Sequence, residues 1–199
     1  SAAQPASLAT AVASVLPSMV GKSLGVQRDI TLNEQQERAC ELILQGKSCV
    51  LIGKAGTGKT TMMRTAMTRL IEAKLIPMMD VSTKVLQSGL PGIIVCSYTN
   101  KATNNIRHAM PHELKAHTQT LHKVLEFMPK LYEVPDEATG LTRKTMRFEP
   151  ARNEYNPLPE SVKFVAFEES SMIGTGLHEA LLKALPHEVQ FLYIGDIRQ

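Results

Sequence analysis

At 199 residues the chain is long enough to bury one substantial core, and a prior of ~100–200 residues per domain makes one main domain the expectation. A hydrophobic content of 43%, a charged content of 21% and a net charge of +3 exclude a disordered or polycationic chain, and this balance permits nucleic-acid binding without arguing for it. Cys40, Cys49 and Cys96 lack C-x-x-C spacing and no apolar run reaches the ~20 residues of a membrane span, which argues against a disulfide framework, a zinc site or an anchor and for a cytoplasmic or nucleoid-associated protein.

Residues 1–30 read as an N-terminal extension or linker. Within them Leu8, Val12, Val15, Leu16, Met19 and Val20 fall roughly on one face of a short helix interrupted by Pro17. From Thr31 a second helix is predicted, with Ala39, Leu42 and Ile43 on its buried stripe and Gly46 closing it. Gln36 has two readings at this point: a capping box with Asn33, or a side-chain amide placed to hydrogen-bond adenine.

The apolar run Ser48 to Ile52 then leads into GKAGTGKT, Gly53 to Thr60, which matches G-x-x-x-x-G-K-[ST]. Gly53, Gly56 and Gly58 let the backbone turn tightly, so that N–H groups and a helix N-terminus point at phosphate oxygens. The nucleotide-binding candidates are Gly53, Ala55, Gly56, Thr57, Gly58, Lys59, Thr60 and Thr61, together with Gln36 if it reads the base. Lys59 would reach the β and γ phosphates of ATP, and the Thr60 hydroxyl would bind Mg²⁺. The helix from Thr60 to Ala73 places Met63, Ala66, Met67, Leu70 and Ile71 on its core face.

Residues 78–91 carry no readable pattern. Gly92 to Ser97 is a continuous β-branched run, as in a strand of a parallel sheet buried on both faces, and Tyr98 to Thr103 follow at its carboxyl end. There Thr99 or Asn100 either caps the next helix or, with Lys101, lines the ligand-binding rim. His117 to Lys123 begins another helix with Leu121, Val124, Leu125 and Met128 on its apolar face, and His122 taken alone reads as a surface or cap histidine. Residues 129–160 are polar and proline-punctuated, an insertion on the rim in which Thr145 to Glu149 is predicted to pair in a hairpin. The strand Val162 to Phe167 delivers Glu168 and Glu169: one acid for the Mg²⁺ shell, the next to orient and polarise the attacking water. A helix near 177–185 and the strand Val189 to Ile194 complete the pattern, and the stop at Gln199, just past Gly195-Asp196, reads as the end of a fragment.

LNEQQ, GKAGTGKTT, SYTNKAT, TQTLHKVL, FEESSM and GDIRQ occur in the order found in superfamily 1B helicases, and residues 31–199 resemble the first RecA-like domain of the RecD/Dda-like group. The fold this implies is α/β: a RecA-like P-loop NTPase domain, a mainly parallel sheet flanked by helices, with a small β-rich subdomain inserted at about 129–160. By resemblance Gln36 contacts adenine; Thr99, Asn100, Lys101, Thr120 and His122 contact single-stranded DNA; and Lys59, Glu169 and Gln199 are catalytic, Gln199 as γ-phosphate sensor. Two departures stand out. The segment SYTNKAT is usually A-P-T, where Thr99 matches and Tyr98 departs from the proline, and the usual motif II Asp is Glu168, one methylene longer beside Mg²⁺. The resemblance further implies a monomer that couples ATP hydrolysis to 5′→3′ movement on single-stranded DNA and duplex unwinding, in replication or repair. It also implies a second RecA-like domain, outside this chain, that supplies arginine fingers, and a duplex-splitting pin for which Phe148 or Tyr155 would serve. The alternative is a helicase-like module that binds single-stranded nucleic acid with weak or no ATPase activity.

Overall fold

A computed structural model of the chain describes residues 11–15, 32–53, 58–168 and 174–196. The principal sheet has the strands β1 (Ala11–Val15), β2 (Cys49–Gly53), β3 (Ile93–Ser97), β4 (Thr118–Thr120), β7 (Phe164–Glu168) and β8 (Gln190–Asp196). Their order is β1-β2-β8-β7-β3-β4, and each neighbouring pair is parallel. Parallel neighbours need crossovers, which the helices α1 (Glu34–Leu44), α2 (Lys59–Glu72), α3 (Asn100–Ala109), α4 (Leu121–Val124) and α5 (Gly176–Ala184) help to build. Because every strand runs the same way, all carboxyl ends meet on one rim. The fold is that of a RecA-like P-loop NTPase.

Alternation along the strands divides the core between the two sheet faces. Leu51, Ile93, Val95, Phe164, Ala166, Leu192 and Ile194 join Ile43, Met62, Met63, Met67 and Leu70 under α1 and α2. Ile94, Cys96, Val165, Phe167, Phe191 and Tyr193 join Leu121, Val124, Leu181 and Ala184 under α4 and α5. The three cysteines are free, buried thiols, and burial pushes Cys40 up to about 11, away from thiolate chemistry.

Two predicted elements are corrected. The helical spacing read in the N-terminal segment does not hold over Ala11–Val15, which forms a strand running from Ala11↔Cys49 to Val15↔Gly53. Without it β2 would present an unpaired backbone edge, and ladder formation overrides the side-chain period. The helix expected from His117 to Met128 starts late and ends early: Thr118–Thr120 pair with Val95–Ser97 as β4, Leu125 closes α4, Glu126 takes φ +54, and Met128 lies on a strand. That strand, β5 (Phe127–Pro135), pairs antiparallel with β6 (Thr142–Pro150), longer on both sides than the segment predicted to pair. The hairpin exposes apolar side chains, with Leu131, Met146 and Phe148 about two-thirds accessible (66%, 65% and 65%).

Residues 78–91 form an irregular loop fastened by His117. This imidazole is fully buried; Gln87 N–H donates to its Nε2 at 2.9 Å, while Nδ1 lies 3.1 Å from the Pro91 carbonyl and 3.2 Å from that of Ile93. Carbonyls only accept, so Nδ1 carries the hydrogen and the neutral ring satisfies every partner. Burial lowers the His117 pKa from its ordinary 6.5, and the bonds to Pro91 and Ile93 oppose this only in part. The unfolded chain therefore binds more protons below pH 6.5, so the stability present above that value is lost as pH falls toward the depressed folded pKa. His178, also lowered by burial, adds the same sign. Urea midpoints are expected to decline between about pH 7 and pH 5, and His117→Asn to remove part of that slope. A flat profile would contradict the buried neutral ring.

Candidate functional site

Three strand ends assemble the phosphate side of the rim: β2 at Gly53, β8 at Asp196 and β7 at Glu168, with β8 in the middle. Gly58 has φ +85, a left-handed turn that glycine adopts without strain, and α2 starts at the next residue. Lys59 is largely buried, and its Nζ donates to the Gly53 and Gly195 carbonyls at 3.0 Å each. One ammonium thus joins the end of the phosphate-loop strand to the neighbouring Gly-Asp strand end. Thr60 is exposed on the first turn of α2, and Thr61 is half-buried. Ala55, Gly56, Thr57, Glu169 and Gln199 lie outside the described residues.

Gln36 is both a cap and a neighbour of the loop. Its N–H donates to Asn33 Oδ1 at 2.9 Å, and its Oε1 accepts from Asn33 N–H at 3.0 Å, the reciprocal capping box. Its Nε2 lies 3.0 Å from where a Cβ on Gly58 would be, so the Gln36 amide packs close against the phosphate turn and would have to give slightly to a side chain at 58. The same helices are joined by a fork between Arg69 and Glu37 at 2.7 and 2.9 Å, which holds the Glu37 carboxyl below its usual range. This pair is more than a third exposed, so its contribution is of order ~0.2–1 kcal/mol.

Glu168 is half-buried at the end of β7. The exposed Thr60 hydroxyl and this carboxylate are hard oxygen donors suited to Mg²⁺, a cation that keeps several waters and shares its shell with substrate phosphates. Among the described residues there is no cluster of three or more His, Cys, Asp or Glu that could hold a metal ion by itself.

β3 and β4 end on the other half of the rim. Thr99 is the N-cap of α3, accepting from Ala102 N–H at 3.2 Å, and Asn100 and Lys101 are exposed on its first turn. Thr120 is the N-cap of α4, accepting from Lys123 N–H at 3.3 Å, and it is buried. The Thr120 side chain therefore fixes the turn that presents His122.

Sequence reasoning missed what His122 touches. Its ring lies 5.7 Å from Tyr98 and 4.8 Å from Phe127, and Phe127 in turn stacks on Phe148 at 6.2 Å. Four rings therefore run from the end of β3 to the hairpin, with Tyr98 and Phe148 exposed at the two ends. The hairpin register produces the last contact: Phe127 faces Pro150, which makes Phe148 its diagonal neighbour on the same face. Only the aromatic residue type was available in the sequence. On the opposite face of the hairpin, Lys130 and Arg147 lie over the Tyr132 ring at 5.6 and 5.2 Å, and the Tyr132 hydroxyl donates to Glu149, which raises its pKa. The exposed rings at the two ends of the row, Tyr98 and Phe148, are surfaces of the kind on which bases of a single strand stack.

No helix among the described residues is long and apolar enough to cross a membrane. A family model described as an AAA domain matches residues 36–199. The chain is 25% identical over 178 residues to proteins named RecBCD enzyme subunit RecD from two strains of Mycobacterium tuberculosis, CDC 1551 / Oshkosh and ATCC 25618 / H37Rv. That similarity covers 83% of this chain and 26% of each relative, so the chain spans about a quarter of the length of the curated proteins it matches. The chain belongs to the AAA-domain family, in the form that occurs in UvrD/RecD-like superfamily 1 helicases.

Proposed function

We propose that this domain hydrolyses ATP to drive 5′→3′ movement along single-stranded DNA, and with it duplex unwinding in replication or repair. The observation that carries this reading is the divided rim: Lys59 and Glu168 on the β2–β8–β7 half, and an exposed aromatic row on the β3–β4 half of the same sheet. Gln36 contacts the adenine, the backbone of Gly53 to Gly58 cradles the phosphates, and Lys59 neutralises charge on the γ-phosphate. Glu169 orients and polarises the attacking water, and Gln199 senses the γ-phosphate. Thr60 and Glu168 would hold Mg²⁺, which when bound spreads the negative charge of the phosphates. A second RecA-like domain supplies the arginine finger, a group worth ~10³–10⁵ in related phosphoryl transfers.

Tyr98 and His122 receive bases, while Thr99, Asn100, Lys101 and the Thr120 turn form the track around them. The test uses the full-length protein on duplexes bearing a single-stranded tail. Unwinding of 5′-tailed and not 3′-tailed substrates is expected. Tyr98→Ala should weaken single-stranded DNA binding about tenfold, within the ~1–3 kcal/mol of one base–aromatic stack. Unwinding from 3′ tails would overturn the polarity, and DNA binding without DNA-stimulated ATP turnover would establish a passive binding module instead.

A further inference from the structure

Ser97 is the last residue of β3, and Glu168 is the last residue of β7. The two strands pair in parallel as far as Cys96↔Phe167, so the next step of that register sets Ser97 beside Glu168. Alternation places both on the sheet face of Val95 and Ala166, the face that the phosphate-loop helix α2 covers. Ser97 is therefore the point where the nucleic-acid half of the rim meets the phosphate half. It is fully buried, and its Oγ has no hydrogen-bond partner among the described residues.

A buried hydroxyl without a partner destabilises the protein, and alanine would occupy the same place without that cost. Such a group needs a reason, and here it adjoins the residue at which the chain departs from the motif II pattern. Glu168 has one more rotatable bond than the aspartate it replaces, so its carboxylate is less well fixed. The longer acid and the buried hydroxyl thus stand at adjoining strand ends.

We propose that Ser97 is a positioning residue for Glu168. Its hydroxyl donates to the Glu168 carboxylate when that carboxylate turns toward the Mg²⁺ accompanying ATP, and so fixes the longer side chain in one rotamer. This rests on reading Glu168 as the acid of the Mg²⁺–nucleotide site. The hydroxyl, without a partner among the described residues, gains one through this contact, so Ser97→Ala should weaken Mg²⁺-dependent nucleotide binding while removing the cost of an unpaired group when no nucleotide is present.

The experiment compares full-length wild-type protein with Ser97→Ala, Glu168→Asp and the double variant. Binding of a fluorescent ATP analogue is titrated at increasing Mg²⁺, and thermal midpoints are measured in chelator without nucleotide. Ser97→Ala is expected to weaken Mg²⁺-dependent binding about tenfold, the effect of one hydrogen bond to a charged group, and to leave Mg²⁺-free binding unchanged. Its metal-free midpoint should rise by about 2–4 °C. In the Glu168→Asp background the same substitution should change Mg²⁺-dependent binding less than about twofold.

An unchanged Mg²⁺ response in Ser97→Ala, or equal losses in both backgrounds, would overturn the proposal. A lowered metal-free midpoint would do the same, because it would show an ordinary packing role. Lys59→Ala separates the two levels. If it binds the analogue like wild type, the ATP reading fails and this inference with it; if it loses binding while Ser97→Ala keeps its Mg²⁺ response, only the role of Ser97 fails.

Discussion

Lys59→Ala is expected to lower DNA-stimulated ATP turnover by at least about 10²–10³-fold, the range for loss of one preorganised group that stabilises developing charge. The ammonium is held by the Gly53 and Gly195 carbonyls at 3.0 Å, one from each of two adjacent strand ends. The lysine is thus already at the rim and largely desolvated, and little reorganisation separates it from an incoming phosphate. Removing it takes away the charge that balances the γ-phosphate and leaves two carbonyls without that donor. The same variant should therefore be less stable without nucleotide, by about 1–3 kcal/mol. Lys59→Arg is not expected to rescue turnover: the planar guanidinium presents a rigid fork, and two strand-end carbonyls converging on one nitrogen suit a point charge. Steady-state turnover and nucleotide affinity, measured together on the full-length protein, check both effects. Turnover that survives Lys59→Ala would detach this loop from the chemistry.

What was legible in the sequence was local. The glycine spacing of the phosphate turn, the β-branched runs before Ser97 and Glu168, and the Asn33–Gln36 capping box are each encoded within a few neighbouring residues, and the strand–turn–helix order follows from them. Thr99 and Thr120 show how near two readings can lie. Each caps a helix through its own hydroxyl, and each stands where a nucleic-acid contact was expected, so residue type alone does not separate the two roles. What was not legible depends on register between distant segments. The edge strand Ala11–Val15 exists because β2 has a backbone to pair with; the aromatic row depends on the β5–β6 diagonal; and Ser97 and Glu168 end adjoining strands only because β3 and β7 are neighbours in space. His117 is the same kind of case, since its partners Gln87, Pro91 and Ile93 come from a loop without periodicity and from the start of β3. Hydrophobic pattern specifies which face of a strand is buried, but not which strand lies alongside.

Gly92→Ala is expected to be the most destabilising single-methyl change in the described core, although Gly92 lies outside the site. It precedes β3 and is a backbone junction: its N–H donates to the Pro77 carbonyl at 2.8 Å, and its own carbonyl accepts from Lys163 N–H at 2.9 Å and Phe164 N–H at 3.3 Å. The chain entering β7 thus passes directly over it. A Cβ at this position would lie 1.9 Å from the Ser161 carbonyl oxygen, 2.9 Å from the Ser161 carbonyl carbon and 3.1 Å from the Pro77 carbonyl oxygen, all backbone atoms. No rotamer change relieves such a contact, so the two strand entries must separate and the junction bonds must lengthen. Overpacking of this kind costs about 3 kcal/mol or more. Against a typical total of ~5–15 kcal/mol, that is a large share of the stability of a domain this size, and at about 2–4 °C per kcal/mol the thermal midpoint should fall by about 6–12 °C. Because β3 carries Ser97 and Tyr98 to the rim and β7 carries Glu168, separation at their entries also shifts both halves of the site relative to each other. Thermal unfolding of Gly92→Ala beside Gly89→Ala provides the comparison: Gly89 has φ +87 and open space around its Cβ, so its cost is backbone strain alone, about 1–2 kcal/mol. Equal losses at the two positions would show that the crossing over Gly92 is not the tight junction the distances describe.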